Sequence, residues 1–172
     1  MIQNILLNLI LAIVKVIAGI TLSINAAYMG MSLLDKITAS IDEWKEIKKG
    51  NTAVGILYAG AILSVIILAE PQIYDFVNAI QLDFGAQYLL GSLAFGLANY
   101  LVSVLLGIIV VYLSIHAIDR LSGDLEELKE LKKGNVAIAV IMAVILVAIA
   151  FSLRAPFESI FETIKSMESL IL

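Results

Sequence analysis

The sequence predicts an all-α integral membrane protein with four transmembrane helices. They form two tandem helical hairpins related by a pseudo-twofold axis, with short interfacial amphipathic helices beside them. The composition supports a membrane: 61% of residues are hydrophobic, 15% are charged, and the mean hydropathy is +1.01, whereas soluble domains carry about 25% charged residues. The chain also contains four apolar segments, each at least as long as the roughly 17–25 residues that cross a bilayer core.

A third observation, an internal repeat, predicts the tandem hairpins. After a shift of about 84 residues the stretch EWKEIKKGNTA falls on ELKELKKGNVA. We therefore predict two repeat units, residues 1–80 and 85–172, with two membrane helices each. Because each unit crosses the membrane an even number of times, both units enter it the same way round, and their pseudo-twofold axis lies along the membrane normal.

The four apolar segments cover about residues 2–34, 52–70, 87–118 and 135–153. The first and third are longer than a span requires, so we expect them to tilt or to project from the bilayer. The loops at 35–50 and 119–134 hold most of the Lys and Arg residues. The positive-inside rule places both loops in the cytoplasm and both termini outside.

Each loop is predicted to form a short amphipathic helix. Ser40 precedes Glu43 by three residues, and Asp124 likewise precedes Glu127, which is the spacing of a capping box. A narrow apolar stripe follows in each loop, and the stripe suits the inner headgroup layer. Trp44, within the first stripe, is predicted to anchor the loop at the membrane interface.

The K-K-G-N sequence at the end of each loop predicts a helix stop followed by a helix start. Gly50 and Gly134 suit the left-handed stop residue, and Asn51 and Asn135 suit the cap of the outgoing membrane helix. The motif has one glycine and no Ser or Thr after Lys, so it does not fit a phosphate-binding P-loop.

The stretch after Pro156 is predicted to form an amphipathic helix on the outer surface, with an alternative role as a partner-binding helix. Its apolar face includes Phe157, Phe161 and Ile164. At the outer ends of the second and fourth spans, Glu70 and Arg154 are repeat mates. An ion pair between them is conceivable, but we expect both side chains to be solvated separately.

The polar residues within the spans provide the candidate functional residues. Lys15 lies near the middle of the first span, where a charge costs at least ~2.5–3.5 kcal/mol, and its repeat mate is Asn99. Small and polar residues share a helical face with each of them and favour close packing of helices. These are Gly19 and Ser23 in the first span, and Gly96, Ser103 and Gly107 in the third.

If the pseudo-twofold symmetry holds, these faces meet near the axis, with Lys15 and Asn99 at similar depth. Two interpretations compete. The pair either holds a helix bundle or an oligomer together, or lines an aqueous path or binds an anion. As a third possibility, the Lys15 side chain extends to the outer surface.

The loop-to-helix strings identify a family resemblance. EIKKGNTAVGI at residues 46–56 and ELKKGNVAIAV at 130–140 resemble the domain-of-unknown-function 350 family of prokaryotic inner-membrane proteins. The matching positions are Gly50, Asn51 and Ala53, with Gly134, Asn135 and Ala137 in the second copy. The resemblance implies a multi-pass protein of the bacterial or archaeal plasma membrane, and it implies no particular reaction.

The residue types narrow the function further. The chain has no Cys and one His, and no Ser-His-Asp set or intramembrane carboxylate pair is evident, so we predict neither enzyme activity, nor a metal site, nor a cofactor. The net charge of −4 disfavours nucleic acid as a partner.

We predict a structural or interaction subunit whose partners are membrane lipids, further copies of itself or other membrane subunits. The alternative is a small ion or anion channel or transporter with Lys15 and Asn99 along its path. A rotor-ring proteolipid is disfavoured, because it needs a carboxylate in the middle of an even-numbered span.

Overall fold

The computed structural model describes residues 2–37, 43–81, 86–121 and 127–168. Within these ranges the chain is helical, without strands, and the predicted all-α fold is confirmed. The helices are α1 (Ile2–Ile37), α2 (Glu43–Lys48), α3 (Thr52–Ala79), α4 (Ala86–Leu121), α5 (Glu127–Lys132) and α6 (Val136–Glu168). The predicted capping residues Ser40 and Asp124 lie outside the described residues.

The four long helices are long and apolar enough to cross a membrane, as predicted. The candidate spans are Ile5–Ser32, Thr52–Ala79, Gln87–Arg120 and Val136–Ser166. The chain is therefore a multi-pass membrane protein. The N-termini of α3 and α6 lie beside α2 and α5, and we call this end of the bundle the lysine end. The end at which α3 finishes is called the far end.

Two helices are longer than predicted, because each continues through a proline. α3 passes through Pro71 to Ala79, and α6 passes through Pro156 to Glu168. A proline removes one backbone hydrogen bond and kinks a helix, but neighbouring helices compensate for this within a membrane bundle.

The segment after Pro156 is helical, as predicted, but it is the last part of α6, and the prediction that it lies on the outer surface is wrong. Its aromatic residues Phe157 and Phe161 are buried in a cluster with Leu68 of α3. They pack into the bundle because α6 continues through Pro156 and its last part lies against Leu68 of α3.

Helix α3 is the centre of the bundle and packs against α1, α4 and α6. Its closest approach is to α6, where a Cβ atom placed on Gly60 would lie 2.6 Å from the Cβ of Ala143. Small residues allow such close approach, and in lipid the resulting packing stabilises helix association in place of the hydrophobic effect.

A buried tyrosine links α4 to α1. The hydroxyl of Tyr100 lies 2.9 Å from both the Leu22 carbonyl oxygen and Asn25 Oδ1. Since Tyr100 is almost fully buried, these partners satisfy a polar group that would otherwise be costly to bury.

The two halves of the chain pack unequally. α4 lies against both α3 and α6, whereas α1 lies against α3 and α4 and makes no extended contact with α6. The predicted repeat units, 1–80 and 85–172, thus form one bundle whose centre belongs to the first unit.

Candidate functional site

A pocket lined by both polar and apolar residues opens between α3, α4 and α6 towards the far end of the bundle. Its volume is ≈190 Å³, below the ~300–1,000 Å³ of a typical site for a drug-sized ligand. We call it the far-end pocket. Its polar lining residues are Gln72, Asp75, Ser92, Asn99 and Lys165, and its other lining residues are Ala79, Phe95 and Gly96.

Two amides form the buried part of this pocket. Gln72 is 2% exposed, and its Oε1 atom is buried without a hydrogen-bond partner. Asn99 is 7% exposed and makes no hydrogen bond with the described residues. Because an unpaired buried polar group costs about 1–3 kcal/mol, these amides leave hydrogen-bonding capacity for a bound group.

An ion pair lies at the rim of the pocket. The Lys165 ammonium donates to the Asp75 carboxylate, and both side chains are partly exposed. The pocket therefore presents one positive and one negative side chain, which balance each other in charge.

Helical spacing positions these residues. Gln72, Asp75 and Ala79 recur every three or four residues on one face of α3, and Ser92, Gly96 and Asn99 do the same on α4. The absence of a side chain on Gly96 allows α4 to approach α3 at this level. Because α3 continues beyond Pro71, Gln72 and Asp75 lie on the same helix face and line the pocket.

The glycines of the predicted packing faces contact α3 rather than each other. A Cβ atom placed on Gly19 would lie 3.7 Å from Val77 Cγ2, and one placed on Gly96 would lie 3.3 Å from Phe76 Cδ2. The two glycines therefore lie at one level of α3, on α1 and α4 respectively.

The other packing-face residues also contact α3 or form a hydrogen bond within their own helix. The Ser103 hydroxyl donates to the Leu68 carbonyl of α3 at 2.9 Å, and a Cβ on Gly107 would lie 3.5 Å from Leu68 Cβ. The Ser23 hydroxyl donates to the Gly19 carbonyl within α1 at 2.9 Å. The two small-residue faces thus meet α3 from different sides.

Lys15 and Asn99, the predicted polar pair, lie at different levels of the bundle. Lys15 precedes Gly19 by four residues, and Asn99 follows Gly96 by three. At a rise of 1.5 Å per residue, their levels differ by about 10 Å, whereas exact repeat symmetry would place them at the same depth. Asn99 lines the far-end pocket, and Lys15 is not among its lining residues.

At the lysine end, the two K-K-G-N sequences form the same turn twice. Gly50 and Gly134 both have φ +84°. The backbone N–H of Asn51 donates to the backbone carbonyl of Glu46 at 3.0 Å. The backbone N–H of Asn135 donates equivalently to the carbonyl of Glu130 at 3.0 Å. This 6→1 bond, with glycine in the left-handed conformation, is a Schellman helix stop.

The two asparagines then cap the membrane helices. Asn51 Oδ1 accepts from the Val54 N–H at 3.3 Å, and Asn135 Oδ1 accepts from the Ile138 N–H at 3.4 Å. Among the described residues, only Asn51 of the two also reaches the other repeat, where its Nδ2 donates to the Leu131 carbonyl at 2.9 Å. This bond joins the start of α3 to the end of α5.

The side chains around these turns lower the pKa of two carboxyl groups. Hydrogen bonds from Lys49 and then Asn51 lower the pKa of Glu46, and bonds from Lys133 and then Asn135 lower the pKa of Glu130. Each acid is therefore held in its charged form at the stop of its loop helix.

The predicted interface anchor Trp44 lies at the lysine end, half exposed, with its ring 6.1 Å from that of Tyr58 in an edge-on contact. The Tyr58 hydroxyl donates to the Met31 carbonyl of α1 at 3.1 Å. These contacts connect α2, α3 and α1.

The expectation that Glu70 and Arg154 are solvated separately is wrong. Their side chains form an ion pair, with both groups about half exposed. They meet because α3 and α6 run side by side in the same direction, which places repeat mates next to each other. Such an exposed pair contributes little to stability in water, about 0–1 kcal/mol.

Among the polar residues of the far-end pocket, sequence analysis singled out Asn99 but not Gln72, Asp75 or Lys165. The second apolar segment was predicted to cover about residues 52–70, so Gln72 and Asp75 fell outside the predicted span. The signal was present, since the apolar positions Ile73, Phe76, Val77 and Ile80 continue the helical spacing beyond Pro71.

The family model described as Domain of Unknown Function (DUF350) matches residues 4–157. No curated protein and no solved structure matches the chain.

Proposed function

We infer that this chain, which belongs to the DUF350 family over nearly its whole length, is a non-enzymatic integral membrane protein acting as a structural or interaction subunit. We propose that it forms a homo-oligomer, alone or within a larger membrane complex. Its proposed location is the plasma membrane of a bacterium or archaeon, with the lysine end in the cytoplasm and both termini outside.

The outer half of α1 supports this proposal. Asn8, Ala12 and Lys15 lie on one face of α1. Asn8 and Ala12 are exposed, Lys15 is partly exposed, and neither Asn8 nor Lys15 has a hydrogen-bond or ion-pair partner among the described residues. The surrounding Ile and Leu residues are exposed as well.

Gly19 lies at the level of Val77, which is ~38 Å along α3 from its start. Asn8, Ala12 and Lys15 therefore lie beyond the hydrocarbon core of about 30 Å. Water satisfies an amide but not its apolar neighbours. A second copy of the chain provides a hydrogen-bond partner for the amide and also covers the apolar residues. The Asn8 amide carries N–H donors and a carbonyl acceptor, so it can pair with Asn8 of the second copy across an interface. Ala12, one turn away, allows the two helices to approach closely.

An open face on α6 also supports assembly. On α3, Leu68 and Phe76 face α4. The corresponding α6 residues, Ser152 and Ile160, are exposed. The bundle therefore exposes a surface of α6 whose repeat counterpart on α3 is covered by α4.

No comparable observation favours the channel alternative, because Lys15 and Asn99 lie at different levels and do not line one pocket. The rotor-ring alternative also lacks support, since the acid of α3 nearest its middle, Glu70, is paired with Arg154.

The chain has no cysteine, so single-cysteine variants test the proposal directly. We expect Ala12→Cys to form a disulfide-linked dimer when native membranes are oxidised, because α1 faces α1 of the second copy. Ile10→Cys is the matched control, since helical geometry places Ile10 on the opposite side of α1. The measurement is the fraction of dimer on a non-reducing gel.

Equal cross-linking of the two variants would indicate random collision and would contradict the proposed interface. A detergent particle containing a single chain of 18.6 kDa would contradict assembly altogether. As a second variant, Asn8→Leu is expected to reduce the cross-linking of Ala12→Cys, because it removes the self-complementary amide.

A further inference from the structure

We propose that the far-end pocket binds a phosphoethanolamine group, with its primary ammonium inside the pocket and its phosphate at the rim. The group comes either from a phosphatidylethanolamine lipid or from a free phosphoethanolamine molecule. This proposal does not depend on whether the chain oligomerises.

The level of the pocket fits a lipid headgroup. Gln72 lies about 20 residues beyond the start of α3, which is about 30 Å along a helix. That distance equals the thickness of the hydrocarbon core of a bilayer, about 30 Å. Since α3 starts at the lysine end, beside the interface residue Trp44, the pocket lies at the opposite headgroup layer.

The charges of the pocket fit a zwitterion. Asp75 and Lys165 pair with each other at the rim and remain partly exposed. A phosphoethanolamine ester can exchange with this pair, its ammonium meeting Asp75 and its phosphate meeting Lys165, and both charges stay compensated. A purely anionic group would leave Asp75 without a partner, and a purely cationic group would do the same to Lys165.

The buried amides fit a hydrogen-bond donor. Gln72 Oε1 is a buried acceptor without a donor, which an ammonium in the pocket reaches after a turn of the Gln72 amide. Asn99, in the same pocket, has unused hydrogen-bonding capacity. A primary ammonium carries three N–H donors, as the side chain of lysine does. A trimethylammonium group has the same charge but no N–H, and cannot satisfy Gln72.

The size and the remaining walls agree with this chemistry. A volume of ≈190 Å³ corresponds to about six water-sized groups at ~30 Å³ each, which suits the few heavy atoms of a headgroup. Phe95 and Ala79 provide an apolar wall for the two methylene groups of ethanolamine.

The test uses the full chain, purified in detergent and delipidated, with unfolding midpoint and retained lipid in native mass spectra as readouts. We expect phosphatidylethanolamine, at about ten times its Kd, to raise the midpoint by about 3–6 °C. Phosphatidylcholine is expected to have no such effect. Soluble phosphoethanolamine forms a separate arm, which shows whether the headgroup alone suffices or the lipid chains are required.

Three variants locate the effect. Gln72→Met and Asp75→Asn are each expected to weaken phosphatidylethanolamine binding about tenfold, the loss for one hydrogen bond to a charged group. Gln87→Met is the matched control, because Gln87 is exposed outside the pocket, and it should bind as the unmodified chain does. Asp75 is partly exposed, so Asp75→Asn keeps the test decisive if Gln72→Met fails to fold.

A higher unfolding midpoint with phosphatidylethanolamine, with or without an effect of soluble phosphoethanolamine, supports the proposal with the lipid as the source of the group. A higher midpoint with soluble phosphoethanolamine alone supports the proposal with the free molecule as the source. Equal shifts with phosphatidylcholine would overturn it, as would binding that is unchanged in both pocket variants. The absence of any shift would mean that water alone fills the pocket, and would overturn it too.

Discussion

Single residues set the closest contacts in this bundle, and Gly60 is the clearest case. Its α-carbon faces Ala143 so closely that a Cβ would lie 2.6 Å from the alanine Cβ and 2.8 Å from its Cα. Gly55, less than two turns earlier on α3, has nothing within 4 Å of the equivalent position. The same residue type therefore has a packing role at one site and none at the other.

We predict that Gly60→Ala destabilises the protein by about 1–3 kcal/mol, because α3 and α6 must move apart to admit the methyl group. Gly55→Ala is the control, and the better helix propensity of alanine should leave it neutral or slightly stabilising. Thermal unfolding in detergent measures both. Equal unfolding midpoints for the two variants would show that the contact with Ala143 is unimportant.

At the same scale, the acid Glu46 is predicted to titrate below its ordinary value of 4.5. Because the folded-state pKa is lowered, the stabilising contribution is present above the ordinary value and is lost as the pH falls through the lowered pKa. Carboxyl NMR titration measures this. In Lys49→Met the pKa of Glu46 should rise towards 4.5, while that of Glu130 stays low. A Glu46 pKa that does not change in this variant would exclude Lys49 as the cause.

Residue types alone predicted the stop-and-start turns, because a left-handed glycine and an asparagine cap depend on neighbours within a few positions. The bond from Asn51 to the Leu131 carbonyl could not be predicted in this way. Its partner lies 80 residues away along the chain, and Asn135, with the same local sequence, makes no equivalent bond to the first repeat among the described residues.

At the scale of helices and turns, this difference between the two repeats has a measurable consequence. We predict that Asn135→Ala costs about 1 kcal/mol, the usual value for a lost cap. Asn51→Ala should cost about 0.5–1.5 kcal/mol more, because the Leu131 carbonyl also loses its donor. The difference between their unfolding free energies is the quantity to measure. Equal costs would mean that the bond between the repeats contributes nothing.

The lengths of the helices were predicted less well than their number. Hydropathy located all four spans, because composition alone determines whether a segment suits lipid. It could not show that α3 and α6 continue through Pro71 and Pro156, since a proline is tolerated or not according to what packs around it. The far-end pocket, built beyond Pro71, was missed for this reason.

At the scale of the whole molecule, the repeat predicted that faces of α1 and α4 meet near the axis. It predicted neither the side-by-side arrangement of α3 and α6 nor the stagger of α1. Matching sequences fix which residues correspond, whereas the axial position of α1 depends on contacts such as Gly19 with Val77. The level difference between Lys15 and Asn99 therefore could not be read from the sequence.

The orientation of the whole chain is predicted by its lysines. Lys48→Cys and Lys132→Cys should react with an impermeant thiol reagent only after the cells are opened, because the positive-inside rule places both loops in the cytoplasm. Ser166→Cys, near the far end, should react in intact cells and serves as the control. Labelling of the two loop variants from outside, with Ser166→Cys protected, would invert the topology.

The bond from Tyr100 to α1 sets an order of events during synthesis. α1 emerges from the ribosome first, yet its partner on α4 follows the Leu22 carbonyl by 78 residues. The first helix must therefore enter the bilayer and wait there while α3 and α4 are translated. α1 thus gains its neighbours in two steps, first α3 and then α4, before α6 completes the bundle.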